Sequence, residues 1–324
     1  MSISKPHILV VGVGSIGKVH AQNGACFGHV SVVDHNASLA AQIARDTGAT
    51  CFGNDLDAAL AARPDGVVVA IPNKWHASVA KQAVDAGIPV LVEKPLSSDI
   101  EEAEALLASV RQNQQKLFVV SNMRFHPAIK TLATNLQSIG RPLFARAHYG
   151  NYLPNMRQGV DYRQLYVAGK DEGGVVLDGI HELDYLSWLL GPVAHISGSV
   201  GRISDLEIDA EDYAGLCLQH ENGVRSELHL DFLRPHKRRG CEIVGTEAIL
   251  DWQSDGKNPE ICVVRRLTEG GVTTLYESDQ LDVAAPHRML MQHFIQAIND
   301  EPHDLQSGDE GMRLLNLSMS VRGI

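Results

Sequence analysis

The sequence predicts an α/β protein in two parts: a doubly wound parallel sheet of the dinucleotide-binding (Rossmann) type, then an α+β domain built on an antiparallel sheet. Three observations carry this. The apolar run Ile8-Leu9-Val10-Val11 leads straight into Gly12-Val13-Gly14-Ser15-Ile16-Gly17. Apolar runs of strand length then alternate with helical segments as far as residue 122. Further along, β-like segments follow one another, punctuated by Asn222-Gly223, Asp255-Gly256 and Gly270-Gly271, the dipeptides of tight turns.

The opening strand, tight turn and helix give the G-x-G-x-x-G fingerprint the context it needs. Gly12 allows the turn, Gly14 lets the backbone approach a pyrophosphate, and Gly17 lets the helix pack close to the strand. The N–H groups at the helix start, from Ser15 and Ile16 on, favour negative charge there. His29-Val30-Ser31-Val32-Val33 reads as the second strand and ends at Asp34, placed for the ribose hydroxyls of an adenosine. A carboxylate there repels a 2′-phosphate, and Asp34-His35-Asn36-Ala37 supplies no Arg or Lys, so NAD is expected in preference to NADP. Gly12 to Lys18 also spells the start of a Walker A loop, but Val19 stands where Ser or Thr is required.

The remaining elements follow in order. Leu39–Ala44 is helical, Ala49–Phe52 is a short strand, and Leu56–Ala62 is a helix. Gly66-Val67-Val68-Val69-Ala70-Ile71 is a continuous apolar run, as suits a parallel strand buried on both faces, and Pro72 stops it. Helix Ala77–Ala86 closes at Gly87, and Pro89-Val90-Leu91-Val92 is a strand ending in Glu93-Lys94-Pro95. Ser98 with Glu101 forms a capping box for helix Asp99–Gln112, and Leu117–Val120 is the next strand. Domain one is thus 1–122 and domain two 123–324. In the second, Leu143–Tyr149 is a strand and Val175–Leu190 a single helix. Seven β segments run from His195 to Tyr276, and Met289–Asn299 and Gly311–Val321 are closing helices.

Composition narrows the function classes. A chain of 324 residues exceeds the usual single-core size. With 44% apolar and 21% charged residues it has globular composition. No apolar run reaches the length that spans a bilayer, and no signal peptide precedes the first strand, so a cytoplasmic protein is expected. A net charge of −11 argues against nucleic acid or an anionic membrane as partner. The five cysteines form no C-x-x-C, as suits a reducing compartment. His181-Glu182 does not continue as H-E-x-x-H, so no metal site is expected.

Several residues are placed for chemistry. Lys94 stands at a strand end on the cofactor edge, where an ammonium group can hydrogen-bond or protonate a substrate oxygen. The alternative is a solvated lysine at a strand–turn junction. On the Val175–Leu190 helix, Asp178, His181, Glu182 and Tyr185 share a face, and Asp178 and His181 are three apart and can touch. A carboxylate beside an imidazole makes a general base; the plainer alternative is the solvated polar side of an amphipathic helix. Asn122 and Arg124 lie at a strand end beside the same crevice. Tyr162 and Arg163 precede the helix, and Arg163 can clamp a carboxylate. The run Arg234-Pro235-His236-Lys237-Arg238-Arg239 can hold an anion but reads better as a solvated turn between strands.

With these pieces in order, the chain resembles the glucose–fructose oxidoreductase / inositol dehydrogenase (Gfo/Idh/MocA) family. The resemblance rests on Gly12–His20, on Ala70-Ile71-Pro72-Asn73 with His76-Ala77, on Glu93-Lys94-Pro95, and on Gly173-Gly174 through Asp178 and His181 to Gly191. It implies an NAD-dependent oxidoreductase acting on a secondary hydroxyl or keto group of a sugar, sugar acid or cyclitol. It also implies a large open antiparallel sheet through which copies pair as homodimers or homotetramers. Ile71, Pro72, Asn73, His76, Glu93, Lys94 and Asn122 join the glycines and Asp34 as cofactor contacts. Lys94 contacts the reacting hydroxyl, and His181 is the acid/base with a nearby aspartate. The family pattern is D-x-x-x-H; here Leu177 occupies the usual position and Asp178 takes a related role, one residue closer to His181. Arg124, Tyr162 and Arg163 are the further substrate contacts expected. The wording around Ile180–Leu186, with Asp161-Tyr162-Arg163, points to an anionic sugar. Relatives that hydrolyse glycosides with NAD, or that sense sugars without turnover, are the alternatives.

Overall fold

The computed structural model describes residues 5–157, 159–256, 260–282 and 284–323. The chain opens with β1 (His7–Val11), α1 (Ser15–Ala25), β2 (His29–Val33), α2 (Ala37–Thr47), β3 (Thr50–Cys51) and α3 (Leu56–Ala61). It continues with β4 (Gly66–Val69), α4 (His76–Asp85), β5 (Val90–Val92), α5 (Ile100–Asn113) and β6 (Leu117–Val119). A second series follows: α6 (Pro127–Asn135), β7 (Pro142–Tyr152), α7 (Val175–Asp178), α8 (Ile180–Leu190), β8 (Val193–Gly201), β9 (Tyr213–His220) and β10 (Arg225–Asp231). It is completed by β11 (Leu233–Gly245), β12 (Ile249–Asp255), β13 (Ile261–Thr268) and β14 (Gly271–Ser278). The last elements are α9 (Ala285–Ile298), β15 (Gln306–Ser307) and α10 (Gly308–Arg322).

Two compact units result, one of residues 1–122 with 284–315, the other of 123–283 with 316–324. The assignment of all of 123–324 to the second domain is therefore corrected for 284–315. The reason is strand pairing and packing. β15 adds antiparallel to β6 through Gln306 and Ser307, and α9 sits so close to the start of β4 that a side chain at Gly66 would meet Phe294 and Ile298.

The sheet of the first unit runs β15-β6-β5-β4-β1-β2-β3, parallel apart from β15. Its central strands are buried on both faces: Ile8, Leu9, Val10, Val67, Val68, Val69, Val90, Leu91 and Val92 have no exposed surface. That is why they read as unbroken apolar runs. Helix ends follow local chemistry. Asn36 accepts the Leu39 N–H to start α2, and Gly48 closes it in the left-handed region. α5 is capped by Asp99, one residue later than the expected Ser98 box; its carboxylate accepts the Glu102 N–H at 2.9 Å.

The second unit carries an eight-stranded sheet, β14-β13-β12-β11-β7-β10-β9-β8. All neighbours are antiparallel except β7 and β10, which run parallel from Phe144 and Arg225 to Gly150 and Asp231. Two expectations are corrected here. The basic run Arg234–Arg239 is no turn but the first half of β11, with a register shift between Leu233 and Arg238. The Val175–Leu190 helix is two helices, broken at Gly179, where a Cβ would lie 2.8 Å from Leu230 on β10. The close backbone approach to the sheet costs the helix its continuity.

Candidate functional site

In the first unit the expected nucleotide contacts stand at the carboxyl ends of five adjoining parallel strands. Gly12–Gly17 follow β1, Asp34 follows β2, Ile71–His76 follow β4, Glu93 and Lys94 follow β5, and Asn122 follows β6. This is the edge where ligands bind in such sheets. The three glycines differ in the way the fingerprint requires. Gly12 has φ of +85° and donates its N–H to Val33 O at 2.8 Å. A Cβ on Gly17 would stand 1.9 Å from Gly12 O, so the helix can approach the turn only through glycine. Around Gly14, by contrast, nothing lies within 4 Å of a Cβ position. Gly14 is the N-cap of α1 without a side-chain cap, and the first turn, which Ser15 and Ile16 open, carries no acid. Space, backbone N–H groups and helix polarity together fit a pyrophosphate.

Asp34 binds the glycine turn as well as facing it. Its Oδ2 accepts the Val13 N–H and its Oδ1 the Asn36 N–H, both at 2.8 Å. Two backbone donors fix a largely buried carboxylate after β2, which fits a ribose diol and disfavours a 2′-phosphate by like charge. His76, fully buried, lies with Nδ1 2.7 Å from Pro95 O and Nε2 2.8 Å from Ile71 O. Burial pushes this imidazole below its usual range, against the pull of the two carbonyls. A neutral ring donates to one carbonyl at a time, so His76 ties the turn after β4 to the segment that carries Lys94. Pro72 caps the short helical turn Asn73–Trp75, and Asn73 is buried within it.

Beside Lys94, the Glu93 carboxylate takes a 2.8 Å contact from His20 Nε2. Burial works against its ionisation, but the His20 hydrogen bond and the charges of His20, His287 and Lys94 outweigh it and hold Glu93 below the usual carboxylate range. His287 in turn lies 3.3 Å through Nε2 from Asn122 Nδ2. His20 and His287 were not among the expected contacts. His20 was visible as the last residue of the Gly12–His20 motif; His287 had no local signal, because α9 joins this unit only through folding.

In the second unit, α7 and α8 hold Asp178 and His181, both half-buried on either side of the Gly179 break. Asp178 Oδ1 accepts the Tyr166 hydroxyl at 3.2 Å, a partner the sequence did not mark. The rest of that polar face is not solvated: Glu182 and Tyr185 are buried, and so is Asp184 further along the helix. Arg239 Nε, from the inward side of β11, stands 2.7 Å from Glu182 Oε1. Its N–H is not aligned with that oxygen, so charge holds the pair. The guanidinium lies 4.5 Å over the Tyr149 ring. Further along, Lys237 pairs with Glu260 at 2.9 Å, and Ser254 donates to the other Glu260 oxygen. Period-two alternation of Lys237, Arg239, Cys241 and Ile243 was the overlooked strand signal.

The expected substrate contacts Arg124, Tyr162 and Arg163 all have partners within the protein. Arg124 is 3% exposed, and its Nε and Nη2 both bond Asp184 at 2.7–3.2 Å. Its fork is filled by the protein's own carboxylate. Arg163 does clamp carboxylates, but those of Asp161 at 2.7 Å and Glu207 at 2.8 Å, while Tyr162 Oη accepts the Glu207 N–H. Among the described residues no group of His, Cys, Asp and Glu could hold a metal ion, and no helix is long and apolar enough to cross a membrane.

Comparisons with known proteins bear on the fold and the family. Over 124 residues the chain is 38% identical to UDP-N-acetylglucosamine 3-dehydrogenase of Acidithiobacillus ferrooxidans, covering 38% of this chain and 39% of that protein. Over 232 residues it is 30% identical to inositol 2-dehydrogenase of Corynebacterium glutamicum, covering 68% and 66%. These matches thus span less than two thirds of either relative. A solved structure of the Acidithiobacillus enzyme superposes with a TM-score of 0.79 at 25% identity, over 99% of this chain and 97% of that one. An Agrobacterium radiobacter oxidoreductase solved with NAD+, L-tartaric acid and magnesium shares the fold, with a TM-score of 0.82 at 20% identity over 98% and 95%. Residues 7–121 match the family model of the oxidoreductases with an NAD-binding Rossmann fold, and residues 133–251 match the C-terminal domain of the same family. The chain belongs to the Gfo/Idh/MocA oxidoreductase family.

Proposed function

We propose that this protein is an NAD-dependent dehydrogenase or reductase acting on a secondary hydroxyl or keto group of a sugar, sugar acid or cyclitol. The observation that carries the reading is the line of five strand ends that puts Lys94 on the same edge as the open Gly14 turn and the Asp34 carboxylate. The relatives are dehydrogenases of a nucleotide sugar and of inositol, which supports the substrate class.

When bound, NAD supplies the hydride acceptor. In the oxidising direction His181 takes the hydroxyl proton and Asp178, held by Tyr166, orients the imidazole. Lys94 donates a hydrogen bond to the oxygen as negative charge develops on it. Asp34 and the glycine turn bind the dinucleotide and take no part in proton movement. Assembly of two or four copies through the second unit's sheet belongs to the same reading, and light scattering of the purified protein tests it.

The test of activity is NADH absorbance with purified protein and NAD against polyols, inositols, aldonic acids, sialic acids and nucleotide sugars. Signal with one class, lost in His181→Ala, is expected. NAD binding with silence across the panel would overturn the reading.

A further inference from the structure

Two buried acids of α8, Glu182 and Asp184, follow His181 closely in the sequence. On a helix turning about 100° per residue, Glu182 points about 100° to one side of His181 and Asp184 about 60° to the other. Each is buried, and each is paired with a guanidinium from a different element: Glu182 with Arg239 of β11, Asp184 with Arg124 of the turn before α6. The direction of His181 is thus bracketed by two buried ion pairs. Such pairs are poor sources of stability, because removing two charges from water offsets most of their attraction; apolar replacements of equal volume are often neutral or stabilising. In some proteins what they contribute instead is a unique geometry. Arg239 is further confined by the Tyr149 ring beneath it and Met123 Sδ at 3.1 Å from Nη1. Gly179 interrupts the helix just before α8, so long-range pairs add to the local turn in setting the rotation of α8.

We propose that Arg239–Glu182 and Arg124–Asp184 are positioning pairs that set the rotation of α8 and so aim His181. The inference rests on the reading of His181 as the acid/base. In this role both arginines act through the helix.

The decisive variant is Arg239→Met with Glu182→Leu, with Arg124→Met/Asp184→Leu as its counterpart. Three quantities are read: the thermal midpoint, kcat and KM with the substrate found in the panel, and the His181 ring resonance, assigned by its loss in His181→Ala. The expected result is an unchanged or raised midpoint, kcat lower by roughly 10- to 100-fold, as small misplacement of a reacting group costs, KM for NAD unchanged, and a displaced resonance. Unchanged kcat and resonance in a folded double variant would overturn the proposal. Should a double variant not fold, Arg239→Lys keeps the charge and loses the planar fork; it should displace the resonance, and an unmoved one overturns the proposal equally. Parent-like kcat in His181→Ala sinks the acid/base reading instead, and the resonance still decides whether the pairs orient the ring.

Discussion

The two units build their chemistry in opposite ways. In the first, the site is made of strand ends: five short segments, each next in sequence to the strand that places it, present backbone N–H groups, glycines and single side chains along one edge. In the second, the residues beside His181 are held by side chains of other segments, Arg239 on β11, Arg124 before α6 and Tyr166 in a short helical turn before α7. One site is fixed by topology, the other by long-range side-chain pairs. The first kind depends on the glycines that let the backbone approach, the second on the side chains that pair at a distance.

Substitutions can break that contrast. The largest effect is expected at Lys94→Ala, which should lower kcat by about 10²- to 10⁴-fold while NADH fluorescence titration shows binding intact; equal loss of both would mean that Lys94 serves the cofactor alone. Next, Asp34→Ala should reduce the NAD over NADP preference in kcat/KM by roughly 10- to 100-fold, since it removes both the diol acceptor and the repulsion of a 2′-phosphate. An unchanged ratio would show that specificity lies elsewhere. Gly17→Ala and Gly14→Ala sharpen the topology argument as a pair. The first must push against Gly12 O and should lower stability by about 1–3 kcal/mol, read as a drop in thermal midpoint. The second meets open space, so it should unfold like the parent and bind NAD less tightly.

The smallest effect is on acid stability. Glu93 and Glu260 are both held below the usual carboxylate range, Glu93 by His20 and its neighbours against burial, Glu260 by His126, Lys237 and Ser254 against burial. A depressed folded pKa stabilises above the ordinary value near 4 and ceases to do so as pH falls through the lower one. Denaturant unfolding should therefore show stability falling below about pH 4. Glu260→Gln should be less stable at neutral pH but flatten that acid limb by about 1–3 kcal/mol; an identical limb would count against the Glu260 assignment.

The same contrast explains what the sequence disclosed. The parallel sheet, the glycine turn, Asp34 and the strand-end Lys94 were legible because their cues are local: apolar runs, a fixed spacing, an acid at a strand end. The antiparallel sheet was legible from repeated short strands and turn dipeptides. What escaped was pairing between distant segments. Arg124 and Arg163 looked available because nothing near them in sequence announces Asp184 or Glu207 as partners. The charges of β11 concealed a strand because Lys237 and Arg239 point inward to buried acids, against the usual rule that charge marks solvent. Gly179 broke a helix that its periodicity supported, for the sake of contact with Leu230.

The return of α9 and β15 to the first unit bears on how the chain is made. A ribosome releases all six parallel strands by residue 119, yet the sheet's seventh strand and the cover over Gly66 wait until Ser307 has been synthesised. Until then β6 presents unpaired backbone groups along an edge, the kind of surface that recruits other chains. A fragment cut after Asn122 carries the whole nucleotide fingerprint and lacks its own border. Expressed alone it should aggregate, and rejoining residues 284–315 through a short linker should cure it.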